Sequence, residues 1–211
     1  MEIACLIPVM LLSLTLHEWG HAFAAHLCGD DTAKNMGRMT LNPIAHIDIM
    51  GFLMILFVGF GWAKPVPVNS RNFRNYKRGE AIVSLAGVTM NLLLAAVFSG
   101  VFLLFWWLLF HHYAEWMKSE VLWTVIQNGI VLNIALFFFN LLPIYPLDGY
   151  HIFELLFARR LPFSVFTFLR RYGSFILIGI LILFRIIGFS PISKLINLYL
   201  RWLFELAAKI V

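Results

Sequence analysis

The sequence predicts an all-α polytopic membrane protein, on three observations. Its 211 residues are 61% hydrophobic and only 13% charged, against roughly 45 to 50% and 25% in soluble domains. Apolar runs long enough to span a bilayer recur at about 3–27, 81–110 and 120–142, with a shorter one at about 172–189. The basic residues fall in the loops between those runs, so the net charge of +5 reflects topology and predicts no nucleic-acid partner.

The first run, with nothing before it that reads as a cleavable signal, carries His17-Glu18-Trp19-Gly20-His21. An ionised residue at the centre of a spanning helix costs roughly 2.5 to 3.5 kcal/mol, so a carboxylate beside two imidazoles marks a functional site. Positions four apart share a helix face, so His17 and His21 can hold one Zn2+ with Glu18 turned toward the same metal. His26 falls nine residues after His17, on the opposite side of the helix. Cys5 and Cys28 lie near opposite ends of this helix, too far apart to bridge, so neither a disulfide nor a cysteine metal site is expected.

Residues 47–61 are apolar but short and Gly-rich (Gly51, Gly59, Gly61), and Lys64-Pro65-Val66-Pro67-Val68-Asn69 follows. Two prolines exclude a continuous helix, so 47–69 is expected to be re-entrant or extended, lying between the first and second core helices without crossing the membrane. The last stretch, 192–210, spaces Lys194, Asn197, Arg201, Glu205 and Lys209 at three- and four-residue intervals, an amphipathic helix that is interfacial or bundle-packed. The chain therefore reads as one domain, 1–211, with a core at 3–152 and C-terminal helices within 172–210.

Lys64, Arg71, Arg74, Lys77 and Arg78 crowd 64–80, and Arg159, Arg160, Arg170 and Arg171 crowd 143–171, while 111–119 holds only Lys118. The positive-inside rule puts the first two loops in the cytoplasm. Residues 120–142 then run inward, the segment after Phe139 lies in the cytoplasmic half of the membrane, and Met1 lies outside.

A catalytic zinc needs three protein ligands and one open position. Asp148 is the candidate third ligand, in Asn140-Leu141-Leu142-Pro143-Ile144-Tyr145-Pro146-Leu147-Asp148-Gly149, where two prolines and a glycine break the end of a helix. Unwound backbone at membrane depth is tolerated only where protein or a watery cavity covers it. Standing alone, such an Asp reads first as a helix cap or a solvated turn residue.

Together these segments resemble the site-2 protease family of intramembrane zinc metalloproteases, whose first motif is His-Glu-x-x-His and whose second includes Leu-Asp-Gly. Leu41-Asn42-Pro43-Ile44-Ala45-His46-Ile47-Asp48, Gly61-Trp62-Ala63-Lys64-Pro65-Val66-Pro67-Val68-Asn69 and Leu85-Ala86-Gly87-Val88-Thr89-Met90-Asn91 resemble its short prokaryotic branch without a PDZ domain. The resemblance covers residues 14–152. Val88 stands where that branch has a proline and Ile49 where a proline often follows the Asp, departures that touch helix geometry and not ligands.

The resemblance implies a transmembrane bundle of site-2 protease type in a prokaryotic cell membrane, with one Zn2+ per chain bound by His17, His21 and Asp148. It implies Glu18 as general base and Asn140 as the residue that steadies the substrate or its developing oxyanion. It further implies a transmembrane protein or peptide as substrate, cleaved within or near its membrane segment. Such a helix must unwind before water can attack, and the extended 62–69 segment can take the unwound strand by main-chain hydrogen bonds. Asn91 is expected to hydrogen-bond a ligand or a neighbouring helix, and His46 and Asp48 to hydrogen-bond within a turn rather than hold a second metal. The competing reading is a transporter or non-catalytic metal-binding membrane protein that handles an ion with the same residues. Glu18 separates them, because only a hydrolase needs a carboxylate one residue from a zinc ligand.

Overall fold

The computed structural model describes residues 2–58, 61–111, 119–188 and 190–210; Gly59 and Lys118 lie outside them. Among the described residues eight α-helices follow one another: α1 (Glu2–Cys28), α2 (Thr32–Asn35), α3 (Ile49–Val58), α4 (Tyr76–Phe110), α5 (Glu120–Asn140), α6 (Asp148–Phe157), α7 (Phe163–Ile187) and α8 (Pro191–Ile210). Among the described residues there is no β-strand, only an isolated antiparallel bridge between Ile47 and Ala63. The expected all-α membrane bundle is what forms, and α4, α5 and α7 are each long and apolar enough to cross a bilayer. The 27 residues of α1 reach about 40 Å at 1.5 Å per residue, and its second half carries the polar motif.

The 47–69 segment divides in two. Asp48 starts α3, its carbonyl accepting from Phe52 N–H and its Oδ1 from Gly51 N–H, both at 2.8 Å, so ten residues become helical despite the glycine. At about 15 Å, α3 is too short for a hydrocarbon core of about 30 Å. Residues 62–69 are non-helical, as Pro65 and Pro67 require. Two helix starts precede the apolar runs. Asn75 caps α4 by accepting from Arg78 N–H, and α7 begins directly after Pro162. The ten-residue α6 lies where the sequence announced only a break.

Helices α1, α4 and α5 form the centre. Between helices in a bilayer there is little hydrophobic drive, so close approach by small residues and polar contacts hold them together. Ala22, Ala24 and Ala25 are buried along α1, the latter two against Phe73 and Val83. At the far end, Phe102 of α4 and Ile126, Ile130 and Ile134 of α5 receive Leu203 and Ala207 of α8. Thus α8 is bundle-packed, with Lys194, Asn197, Arg201, Glu205 and Lys209 on its exposed face.

Candidate metal centre

Successive turns of α1 present His17 and His21 on one face, and the turn after α5 returns the chain so that α6 begins at Asp148, beside them. His17 Nε2 and His21 Nε2 lie 3.1 Å apart, with Asp148 Oδ2 at 3.5 Å from the first and 3.3 Å from the second. Two close approaches make this geometry possible. A Cβ on Gly87 of α4 would lie 2.3 Å from His21 Nε2 and 2.6 Å from His17 Cε1, so only glycine lets α4 lie across the imidazoles. A Cβ on Gly149 would lie 2.3 Å from the Leu141 carbonyl oxygen, so glycine likewise lets the first turn of α6 fold against the end of α5.

The donor set fits a zinc ion. A tetrahedral Zn2+ with N and O ligands at roughly 2.0 to 2.2 Å sets them about 3.3 Å apart, close to the three spacings here. The two histidines are buried, and Asp148 Oδ2 is a buried oxygen without a hydrogen-bond partner. Such an atom is costly unless a cation or a proton meets it. Both imidazoles are oriented through their other nitrogen: His21 Nδ1 lies 2.8 Å from the Val83 carbonyl oxygen and His17 Nδ1 2.7 Å from Asn91 Oδ1. Both partners accept, so Nδ1 carries the proton and Nε2 offers a lone pair to the site. Asn91 therefore orients the His17 imidazole. Among the described residues, His17, His21 and Asp148 form the only such metal-ligand cluster.

Glu18, 8% exposed, accepts at Oε2 a 2.8 Å hydrogen bond from Val66 N–H. That links it to the extended segment, which is itself tied down along its length. Lys64 N–H donates to the His46 carbonyl at 2.9 Å, Arg38 Nη2 donates to the Lys64 and Pro65 carbonyls at 2.7 and 3.2 Å, and Asn69 N–H donates to Asp30 Oδ2 at 2.7 Å. Asp30 is fully buried. Burial would raise its pKa, but hydrogen bonds from Thr32, Asn69 and Asn72 outweigh that and hold it below its ordinary value.

Asn140 closes α5, and its Nδ2 donates to the Leu136 carbonyl at 3.1 Å rather than to any of the three clustered residues. His46 is buried in its turn with Nε2 donating 2.8 Å to the Thr40 carbonyl, and Asp48 serves as a helix cap. His26 pairs with Asp31. Sequence reasoning missed Val83, Arg38 and Asp30, as well as Asn133 and Ser13, which continue the hydrogen bonds beyond Asn91. Ser13 carried a signal: it stands four residues before His17 on the same helix face.

Residues 108–183 match peptidase family M50, a stretch that includes Asn140 and Asp148 but not His17 or His21. "Putative zinc metalloprotease YwhC" of Bacillus subtilis is 48% identical over 152 residues, covering 71% of this chain and 67% of that protein. "Putative zinc metalloprotease Rip2" of Mycolicibacterium smegmatis is 34% identical over 149 residues, 68% of this chain and 54% of that protein. Rip2 of Mycobacterium tuberculosis is 35% identical over 150 residues with the same coverage. The chain thus spans about two thirds of YwhC and about half of Rip2. No solved structure matches it significantly.

Proposed function

Because the chain belongs to peptidase family M50, the site-2 type zinc metalloproteases, we propose that it is an intramembrane endopeptidase that hydrolyses peptide bonds within or near transmembrane segments of membrane-protein substrates. In this reading His17, His21 and Asp148 hold one Zn2+ and Glu18 is the general base. The observation that carries it is the convergence of three buried donor atoms, within 4.8 Å of one another, from helices far apart in sequence.

When bound, zinc supplies Lewis acidity that acidifies water and polarises a carbonyl. The remaining work belongs to the chain. Glu18 Oε2 is engaged by Val66 N–H, which holds the carboxylate in one orientation while it takes a proton from the attacking water. The same carboxyl then gives that proton to the departing amine nitrogen as the C–N bond breaks. Asn140 donates its amide to the developing oxyanion, for which it must exchange the Leu136 carbonyl for substrate. Residues 62–69, braced by Arg38 and Asp30, receive the unwound substrate strand. The crowding of Lys and Arg in 64–80 and 143–171 supports a site in the cytoplasmic half of the membrane with the N-terminus outside.

Purified chain in a bilayer, given a model transmembrane peptide, tests the reading. Chelation should stop cleavage and zinc restore it, and Asp148→Ala should lose both zinc and cleavage. Cleavage that persists in zinc-free protein contradicts it.

A further inference from the structure

The two histidines have their proton positions set by different means. His21 Nδ1 meets the Val83 carbonyl directly, and a carbonyl only accepts. His17 Nδ1 meets the Asn91 side chain, and a carboxamide can present either its oxygen or its NH2. What decides the Asn91 orientation lies further from the site. Asn91 faces Asn133 at 3.0 Å, and Asn133 faces the Gly129 carbonyl at 2.8 Å and Ser13 Oγ at 2.9 Å. Ser13 Oγ gives its own proton to the Val9 carbonyl at 2.8 Å, so it too accepts from Asn133. Asn91, Asn133 and Ser13 are all fully buried, so water cannot supply a substitute partner.

We propose that Asn133 is a positioning residue that fixes the tautomer of His17 through Asn91, with the carbonyl of Gly129 and the hydroxyl of Ser13 as anchors. The polarity runs one way. Gly129 O and Ser13 Oγ both require the NH2 of Asn133, so Asn133 turns its oxygen to Asn91. Asn91 then gives its NH2 to Asn133 and its oxygen to His17, which must carry its proton on Nδ1. Reversing any amide leaves two oxygens about 3 Å apart with no proton between them, which is costly in a buried site.

The consequence falls on the metal-facing nitrogens. His17 Nε2 and His21 Nε2 are 3.1 Å apart, within hydrogen-bond reach. With the proton moved to His17 Nε2, the two imidazoles bond to each other and one donor is lost. The relay keeps both lone pairs available, and the inference rests on the reading of His17 and His21 as zinc ligands.

Zinc affinity of the full chain in nanodiscs, measured by competition with a chromogenic chelator, tests it with wild type, Asn133→Leu, Asn91→Ala and the double variant. Asn133→Leu should weaken zinc binding about tenfold or more and add nothing in the Asn91→Ala background. Ser99→Ala, which removes a half-buried hydrogen bond to Tyr199 elsewhere between α4 and α8, should bind as wild type. Wild-type affinity in Asn133→Leu, or losses that add in the double variant, overturns the relay alone. A wild-type chain that takes up no zinc overturns the metal site and the relay with it. If Asn133→Leu does not fold, 15N-histidine spectra of the metal-stripped unmodified chain decide: His17 protonated at Nδ1 supports the relay, and protonation at Nε2 overturns it.

Discussion

The backbone N–H of Val66 donates a 2.8 Å hydrogen bond to Glu18 Oε2, so a main-chain group 48 residues away holds the proposed general base. Only proline removes that donor without adding a polar group. Because residues 62–69 are already non-helical, Val66→Pro should fold with normal zinc content. A hydrogen bond to a charged group is worth about 1.5 to 3 kcal/mol, so kcat for a model transmembrane peptide should fall roughly tenfold to a hundredfold. Unchanged kcat would detach the segment from Glu18 function.

Gly87 and Gly100 share α4 but not surroundings. A Cβ at Gly87 meets both histidines, whereas one at Gly100 meets nothing within 4 Å. Gly87→Ala should lose most of its bound zinc, and overpacking should lower stability by about 1 to 3 kcal/mol. Gly100→Ala should keep its zinc. Metal analysis of the two purified variants checks the contrast.

Asp30 makes the bracing of the extended segment pH-dependent. Its pKa is lower folded than unfolded, because the hydrogen bonds it accepts outweigh its burial. Its stabilisation is therefore complete above the unfolded value near 3.8 and is lost as pH falls through the lower folded value. Hydrogen exchange at the Asn69 backbone amide and the Asn72 side-chain amide should accelerate in acid relative to α4. In Asp30→Asn that acid dependence should vanish, with a loss of about 1 to 3 kcal/mol at neutral pH from the unsatisfied donors.

Asn140→Ala separates two roles for one amide. As a helix-end bond to Leu136 it contributes little to turnover. As an oxyanion donor its loss should lower kcat about 100- to 1,000-fold with zinc content unchanged. Single-turnover cleavage by the zinc-loaded variant distinguishes the two.

The spacing of His17 and His21 was legible because helical periodicity alone puts them on one face. Asp148 was legible as a break between prolines and glycine, but its approach to the histidines depends on Gly87 and Gly149, whose close contacts a sequence does not display. The helix from Asp148 to Phe157 was illegible for its shortness, and α3 because Asp48 caps a stretch whose glycines argue against a helix. Val83 contributes a main-chain carbonyl, which no residue letter encodes. Arg38 and Asp30 act through main-chain groups of residues 64, 65 and 69, and loop residues with non-local partners have no period to betray them.

The most direct measurement places Glu18→Gln beside wild type in the same bilayer, with zinc content and cleavage of a transmembrane peptide read from one preparation. Gln keeps an acceptor for Val66 N–H and leaves the three proposed zinc ligands untouched. Full zinc with cleavage reduced at least about 100-fold is the expected result; full zinc with undiminished cleavage would contradict Glu18 as the general base.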